Sequence, residues 1–203
     1  MALPLASTGT PALQPPGAGL PWWELLVAKY LVFPRACRKL TWAAAAQLFQ
    51  EEGAKIFTIW DALPPESLGE RVLIRRLAGI EDSSRFWSMA MTVEHLNIVG
   101  SNICQAIYSL RRGEAPARPA RTEDVKPRGE MVPAEVRAEF VHLLRQAASA
   151  ETVEPPVPLG VGPRYAHPWF GPIDAHQWHC LLGLHQRLHR KQMEAIRAGL
   201  GVS

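Results

Sequence analysis

Cysteine is scarce in this chain of 203 residues. Cys37, Cys104 and Cys180 stand far apart and none belongs to a C-x-x-C pair, which excludes a disulfide framework and a thiolate zinc motif. A reducing, cytoplasmic setting is the expectation. Long apolar runs are missing too: "WWELLVAKYLVF" is twelve residues long and contains Glu24 and Lys29, too short and too charged to span a bilayer, so no membrane is expected. The opening "MALPLASTGTPALQPPGAGLP" lacks a basic start and is broken by proline and glycine, unlike a signal peptide. Residues 1–21 read as a disordered or extended tail, and residues 22–203 as a single domain. Charge of one sign is absent as well, since 22 basic residues stand against 19 acidic ones. The densest basic stretch, Arg111 to Arg128, is interrupted by Glu114, Glu123, Asp124 and three prolines, and reads as a solvated loop. Nucleic acid is therefore not an expected partner.

Alternating strand patterns are nearly missing, whereas helical periodicity recurs in blocks separated by many of the 18 prolines. The expected fold is all-α. A short leading helix is predicted over Trp22 to Phe33, stopped by Pro34, because proline disfavours helix in the residue before it. Four longer helices follow. The first, about Thr41 to Leu63, is alanine-rich and ends at "PP". The second, about Ser84 to Leu110, carries Leu96, Val99, Ile103, Ile107 and Leu110 as an apolar stripe. The third opens at Pro133, a residue suited to a first turn, with Val136, Phe140, Leu143, Leu144 and Ala147 on one face. The fourth starts behind Asp174, which with Gln177 has capping-box spacing, and should run to about Ala198 with Gly199 and Gly201 beyond its end. Four long helices with two long connections predict a four-helix bundle carrying an extra N-terminal helix.

Histidines concentrate in "HPWFGPIDAHQWHCLLGLHQRLHRKQ", residues 167–192, which holds five of the seven. In the fourth helix Trp178, Leu181, Leu182, His185, Leu188, His189, Gln192 and Ile196 share the apolar stripe. His185 and His189 are one turn apart and diverge by about 40° around the axis, so both point inward and can reach one ion. His179 and His176 lie about 120° and 180° away from His185 and are not expected as ligands. His142 falls off the stripe of its helix and reads as a surface residue. The remaining inward histidine is His95 in "SMAMTVEHLNIVGSN", which a bundle can bring against the fourth helix. His95, His185 and His189 can thus form a three-nitrogen site with open positions; the competing reading is three structural histidines bonded to carbonyls or other side chains. Asn102 and Gln192 project from the same faces as these histidines and are candidates to hold a cofactor, water or substrate. Glu94 beside His95 points about 100° away, and a solvated carboxylate is the ordinary expectation for it. His167 can either cover the cleft or brace its loop.

The order and spacing of "HPWFGPIDAHQW…LHQRLHRKQ", with "VEHL" upstream, resemble the DinB-like proteins, whose last helix follows H-P-x-x-G, a tryptophan, then H-x-x-x-H-x-x-Q. His167, Pro168, Gly171, Trp178, His185, His189 and Gln192 stand at the matching positions. The resemblance covers roughly Thr41 to Ala198 and implies a four-helix bundle of DinB-like type holding one divalent metal through His95, His185 and His189. Neutral imidazoles favour zinc, nickel or iron over calcium or magnesium. The family includes thiol-dependent transferases and isomerases, implying a small-molecule substrate and a low-molecular-weight thiol as partner.

Three readings follow. The chain is a metal-dependent enzyme of thiol-transferase or hydrolase type, a non-catalytic metal- or ligand-binding bundle, or a structural bundle for protein association. "PWWELLVAKY" can cap the core or pair two copies as a homodimer.

Overall fold

The computed structural model describes residues 11–153 and 155–201, and the chain in it is mostly helical. The first ten residues of the expected tail lie outside the described part. Residues 11–21 form no helix or strand but are tied down: Gln14 N donates to Asp82 Oδ2 at 2.8 Å and Gly19 N to Glu81 Oε1 at 3.1 Å.

The leading helix departs from expectation. α1 (Trp22–Val27) runs into a π-helical turn (Ala28–Val32) and then α2 (Phe33–Lys39), so Pro34 does not stop it. Proline has no N–H to give its preceding turn and its ring crowds that turn's carbonyl; a wider π turn directly before it relieves the crowding. Phe33 N donates to Ala28 O, closing the π turn, and Arg35 Nη1 covers the Leu31 carbonyl at 3.3 Å.

α3 (Trp42–Asp61), α4 (Met89–Arg111), α5 (Pro133–Val153) and α6 (Ala175–Leu200) are the four long helices. α3 packs on α6, α6 on α4, α4 on α5 and α5 on α3. Their starts are encoded locally. Thr41 Oγ1 accepts from Ala44 N, Ser88 Oγ accepts from Met91 N, and Asp174 with Gln177 forms the full capping box, each satisfying amides that a helix start leaves unpaired. α4 begins later than its periodicity suggests, because residues 82–87 are spent on a 3-10 turn and strand β2. α6 runs through Gly199 to Leu200 and ends at Gly201, whose φ of 70° suits a residue without a side chain. Gly199 is glycine for a different reason: a Cβ there would collide with Val72 Cγ1.

Two short antiparallel ladders complete the fold. β1 (Val72–Leu73) pairs with β2 (Phe86–Trp87), placing Trp87 opposite Val72; β3 (Tyr165–His167) pairs with β4 (Gly171–Ile173) in the hairpin before α6. The core between the four helices includes Phe49, Ile56, Leu96, Phe140, Met193 and Ile196. One charge cluster is built into the α3–α6 contact: Glu52, 1% exposed, meets Lys55 at 3.1 Å, Arg187 at 3.2 Å and Arg190 at 2.5 Å. Three cations around one carboxylate make its burial tolerable, although the outward-facing Lys55 and Arg187 are partly screened by water. No helix among the described residues is long and apolar enough to cross a membrane.

Candidate metal centre

α4 and α6 lie against each other, so an inward residue on each can meet. His95 comes from the second turn of α4, and His185 and His189 from the middle of α6, where the four-residue step puts them on the side that faces α4. One nitrogen from each of the three lies within 4.8 Å of the others. His95 Nε2 and His185 Nε2 are 3.3 Å apart. Two nitrogens bound at roughly 2.0–2.1 Å to one tetrahedral ion would be separated by about 3.3–3.4 Å. The pair therefore has the spacing of two ligands on one centre.

The opposite edges of two rings are braced. His95 Nδ1 donates to the Val125 carbonyl at 2.7 Å, and His189 Nδ1 donates to Gln192 Oε1 at 2.7 Å. Acceptors on Nδ1 put the proton there and leave the Nε2 lone pairs available, the arrangement that orients imidazole ligands. Trp87 packs beside both rings, with centroids 5.1 Å from His95 and 6.1 Å from His189.

Burial dominates the acidity of all three. It pushes His95 well below the ordinary 6.5, reinforced by His189 and Lys126 and opposed by the Val125 bond. It does the same to His185, with His189, His95 and His167 adding to the effect. His189 is lowered to about 4 by burial, with Gln192 opposing and Lys126 assisting. Near neutral pH all three are uncharged donors.

The site opens into a cavity of about 810 Å³ between α4, α6, the β3–β4 hairpin and the loop after α4. Its walls include Val99, Asn102, Tyr165, Trp169, Trp178 and Leu188. Asn102 is exposed at this wall, as a residue able to meet a ligand must be. Gln192 sits differently from expectation. It is fully buried, gives Oε1 to His189 and donates Nε2 to the Ser84 carbonyl at 2.7 Å, so both ends of its amide are used in holding the histidine.

Several important groups carry no motif. The Arg111 to Arg128 stretch is solvated only in part, because its end is clamped over α4. Glu94 is buried and accepts from Arg128 N and Gly129 N, both at 2.9 Å, which corrects its expected solvated role. Lys126 bridges to Glu81 at 2.7 Å and to Ser84 Oγ at 3.0 Å. These anchors directly follow Val125 and hold its carbonyl at His95. A lysine next to a valine in a charged loop is a faint signal, and nothing local indicates the carbonyl's target.

Three of the other four histidines have structural partners. His176 Nε2 meets Leu40 O at 2.9 Å; His179 Nε2 meets Trp42 O at 3.1 Å and its ring stacks on Trp42 at 4.1 Å. They are buried rather than decorative, and among the described residues only His95, His185 and His189 form a metal-compatible group. His142 is exposed on α5. His167 Nδ1 accepts from Trp169 N at 3.1 Å and Phe170 N at 3.3 Å, bracing the hairpin turn while the residue also borders the cavity.

No model of a known protein family matches the chain, and neither a curated protein nor a solved structure matches it.

Proposed function

We propose that the chain is a metal-dependent enzyme built on a four-helix bundle of DinB-like type, with His95, His185 and His189 holding one zinc, nickel or iron ion. The observation that carries this reading is the convergence of the three imidazoles, two of them oriented through Nδ1, at the floor of a cavity large enough for a small molecule. Three protein nitrogens leave coordination positions for water or substrate. Without an ion, His185 Nε2 can share a hydrogen bond with His95 Nε2 across 3.3 Å, and an ion held by the three imidazoles would take that bond's place.

When bound, such an ion supplies Lewis acidity and lowers the pKa of a coordinated water or thiol. The chain's own residues position and exclude. Val125 and Gln192 hold two ligand rings in one tautomer, and Trp87 keeps their backs dry. Glu81 and Glu94 are committed to Lys126 and to backbone amides, so neither is poised as a general base. Thiol transfer, which would ask neither carboxylate for a base, fits this arrangement. The exposed amide of Asn102 offers polar contacts to a substrate in the cavity, and the ring of Trp178 supplies an apolar wall beside it.

Protein purified without a histidine tag is expected to carry one equivalent of metal, lost in the His185→Ala/His189→Ala double variant. Wild-type protein that is metal-free and cannot be reconstituted would overturn the reading. A thiol-transfer and hydrolysis panel on the metallated protein, with His95→Ala as control, then separates an enzyme from a non-catalytic binder.

A further inference from the structure

The leading helix leaves its apolar side uncovered. Trp22, Trp23, Leu26, Val27, Tyr30, Leu31 and Val32 are all exposed, Trp22 at 74%, Tyr30 at 62% and Val32 at 60%. Seven large apolar side chains within eleven residues make a patch of the kind that a soluble monomer rarely leaves open to water without using it. The π turn contributes directly. It places Tyr30, Leu31 and Val32 outward in succession, after which Phe33 and Cys37 turn into the core.

The charge around this patch has one sign. Lys29, Arg35, Arg38 and Lys39 lie on the same helix; the last three are exposed and Lys29 is half-exposed. The one acid on the helix, Glu24, is 7% exposed and neutralised by Arg76 at 2.5 Å and by the Gly79 amide. The Arg76 guanidinium and the Gly79 N–H hold its carboxyl below the usual range against the opposing effect of burial. The helix therefore presents apolar and aromatic groups beside cations that form no ion pair among the described residues.

We propose that this helix lies in the surface of an anionic lipid bilayer, with its apolar side chains among the acyl-chain ends and its cations against the headgroups. Tryptophan and tyrosine partition to that boundary because each joins an apolar body to a polar edge. Lysine and arginine can extend their heads to phosphates while their stems stay among lipid. A second copy of the chain is the less fitting occupant, because it would offer Arg35, Arg38 and Lys39 no exposed acid of this helix as a counter-charge, whereas an anionic surface supplies one. Lying on a bilayer is compatible with the lack of any spanning helix.

The helix is firmly joined to the body of the protein. Phe33 stacks on Phe170 with centroids 4.2 Å apart, and Phe170 stacks on His167 at 4.7 Å, at the rim of the histidine cavity. Docking would hold that rim close to the lipid surface.

The full chain is tested by flotation with phosphatidylcholine vesicles, with and without phosphatidylserine, at low and high salt. Binding is expected to the anionic vesicles, weakened by salt and reduced at least about tenfold in a Trp22→Ser/Trp23→Ser/Tyr30→Ser variant. An Arg35→Glu/Arg38→Glu/Lys39→Glu variant should lose the preference for phosphatidylserine. Melting curves and helical circular dichroism matching wild type show that these exposed substitutions leave the fold intact. Absence of vesicle binding overturns the proposal, as does a wild-type dimer that the aromatic variant converts to a monomer while neither binds lipid.

Discussion

Gln192 holds His189 by one end and the Ser84 carbonyl by the other, both at 2.7 Å, so a glutamine three residues from a histidine settles which ring nitrogen faces the cavity. The same chain segment that supplies two candidate ligands therefore supplies the brace for one of them.

Replacing Gln192 with leucine removes that brace while keeping similar bulk. Metal affinity, measured by competition with a chelating dye, is expected to fall about 10–100-fold. Unchanged affinity would show that the hydrogen bond does not orient the ring.

Glu94→Leu leaves the Arg128 and Gly129 amides without their acceptor and loosens the segment that presents Val125 to His95. Stability is expected to drop by about 1–3 kcal/mol. Hydrogen exchange at Arg128 and Gly129 should accelerate more than exchange in α5; equal acceleration throughout would point to global unfolding instead.

His179 makes stability depend on acid. Burial, against the Trp42 bond and with help from His176 and Arg111, lowers it from 6.5 to about 4. Between these values the unfolded chain binds the proton more readily than the folded one, so the contribution is fully present above pH 6.5 and is lost as pH falls to about 4. The loss approaches about 3 kcal/mol at most. Urea unfolding of wild type and His179→Gln should therefore show the gap between them narrowing as pH falls across that window. A constant gap would contradict the assignment.

Metal removal is expected to lower the melting temperature of wild type and to leave His95→Ala/His185→Ala/His189→Ala unaffected. Binding to the folded state alone stabilises by about 4 kcal/mol when free metal is a thousand times the dissociation constant. Scanning calorimetry with and without chelator provides the readout, and an equal shift in both proteins would place the metal elsewhere.

Much of the fold follows from short-range pattern. The capping box at Asp174 and Gln177, the pairing of His185 with His189 on one side of α6, and the dominance of helix are written within a few residues of where they act. The leading helix exposes the limit of such rules. Pro34 reads as a stop, yet a π turn one residue earlier absorbs its missing N–H and lets the chain continue.

The amino-acid sequence by itself determined the four long helices and the inward-facing stripe that His185 and His189 share, because each depends on bonds and periodicities spanning one or two turns. Tertiary structure alone decided that His95 comes within 3.3 Å of His185, ninety residues away, that Val125 rather than any side chain braces it, and that His176 and His179 are spent on backbone carbonyls. These outcomes depend on how α4 packs on α6 and on where Glu94 and Glu81 pin the connecting loop. Such contacts join groups far apart in the chain and are selected by packing of the whole, so no local spacing encodes them.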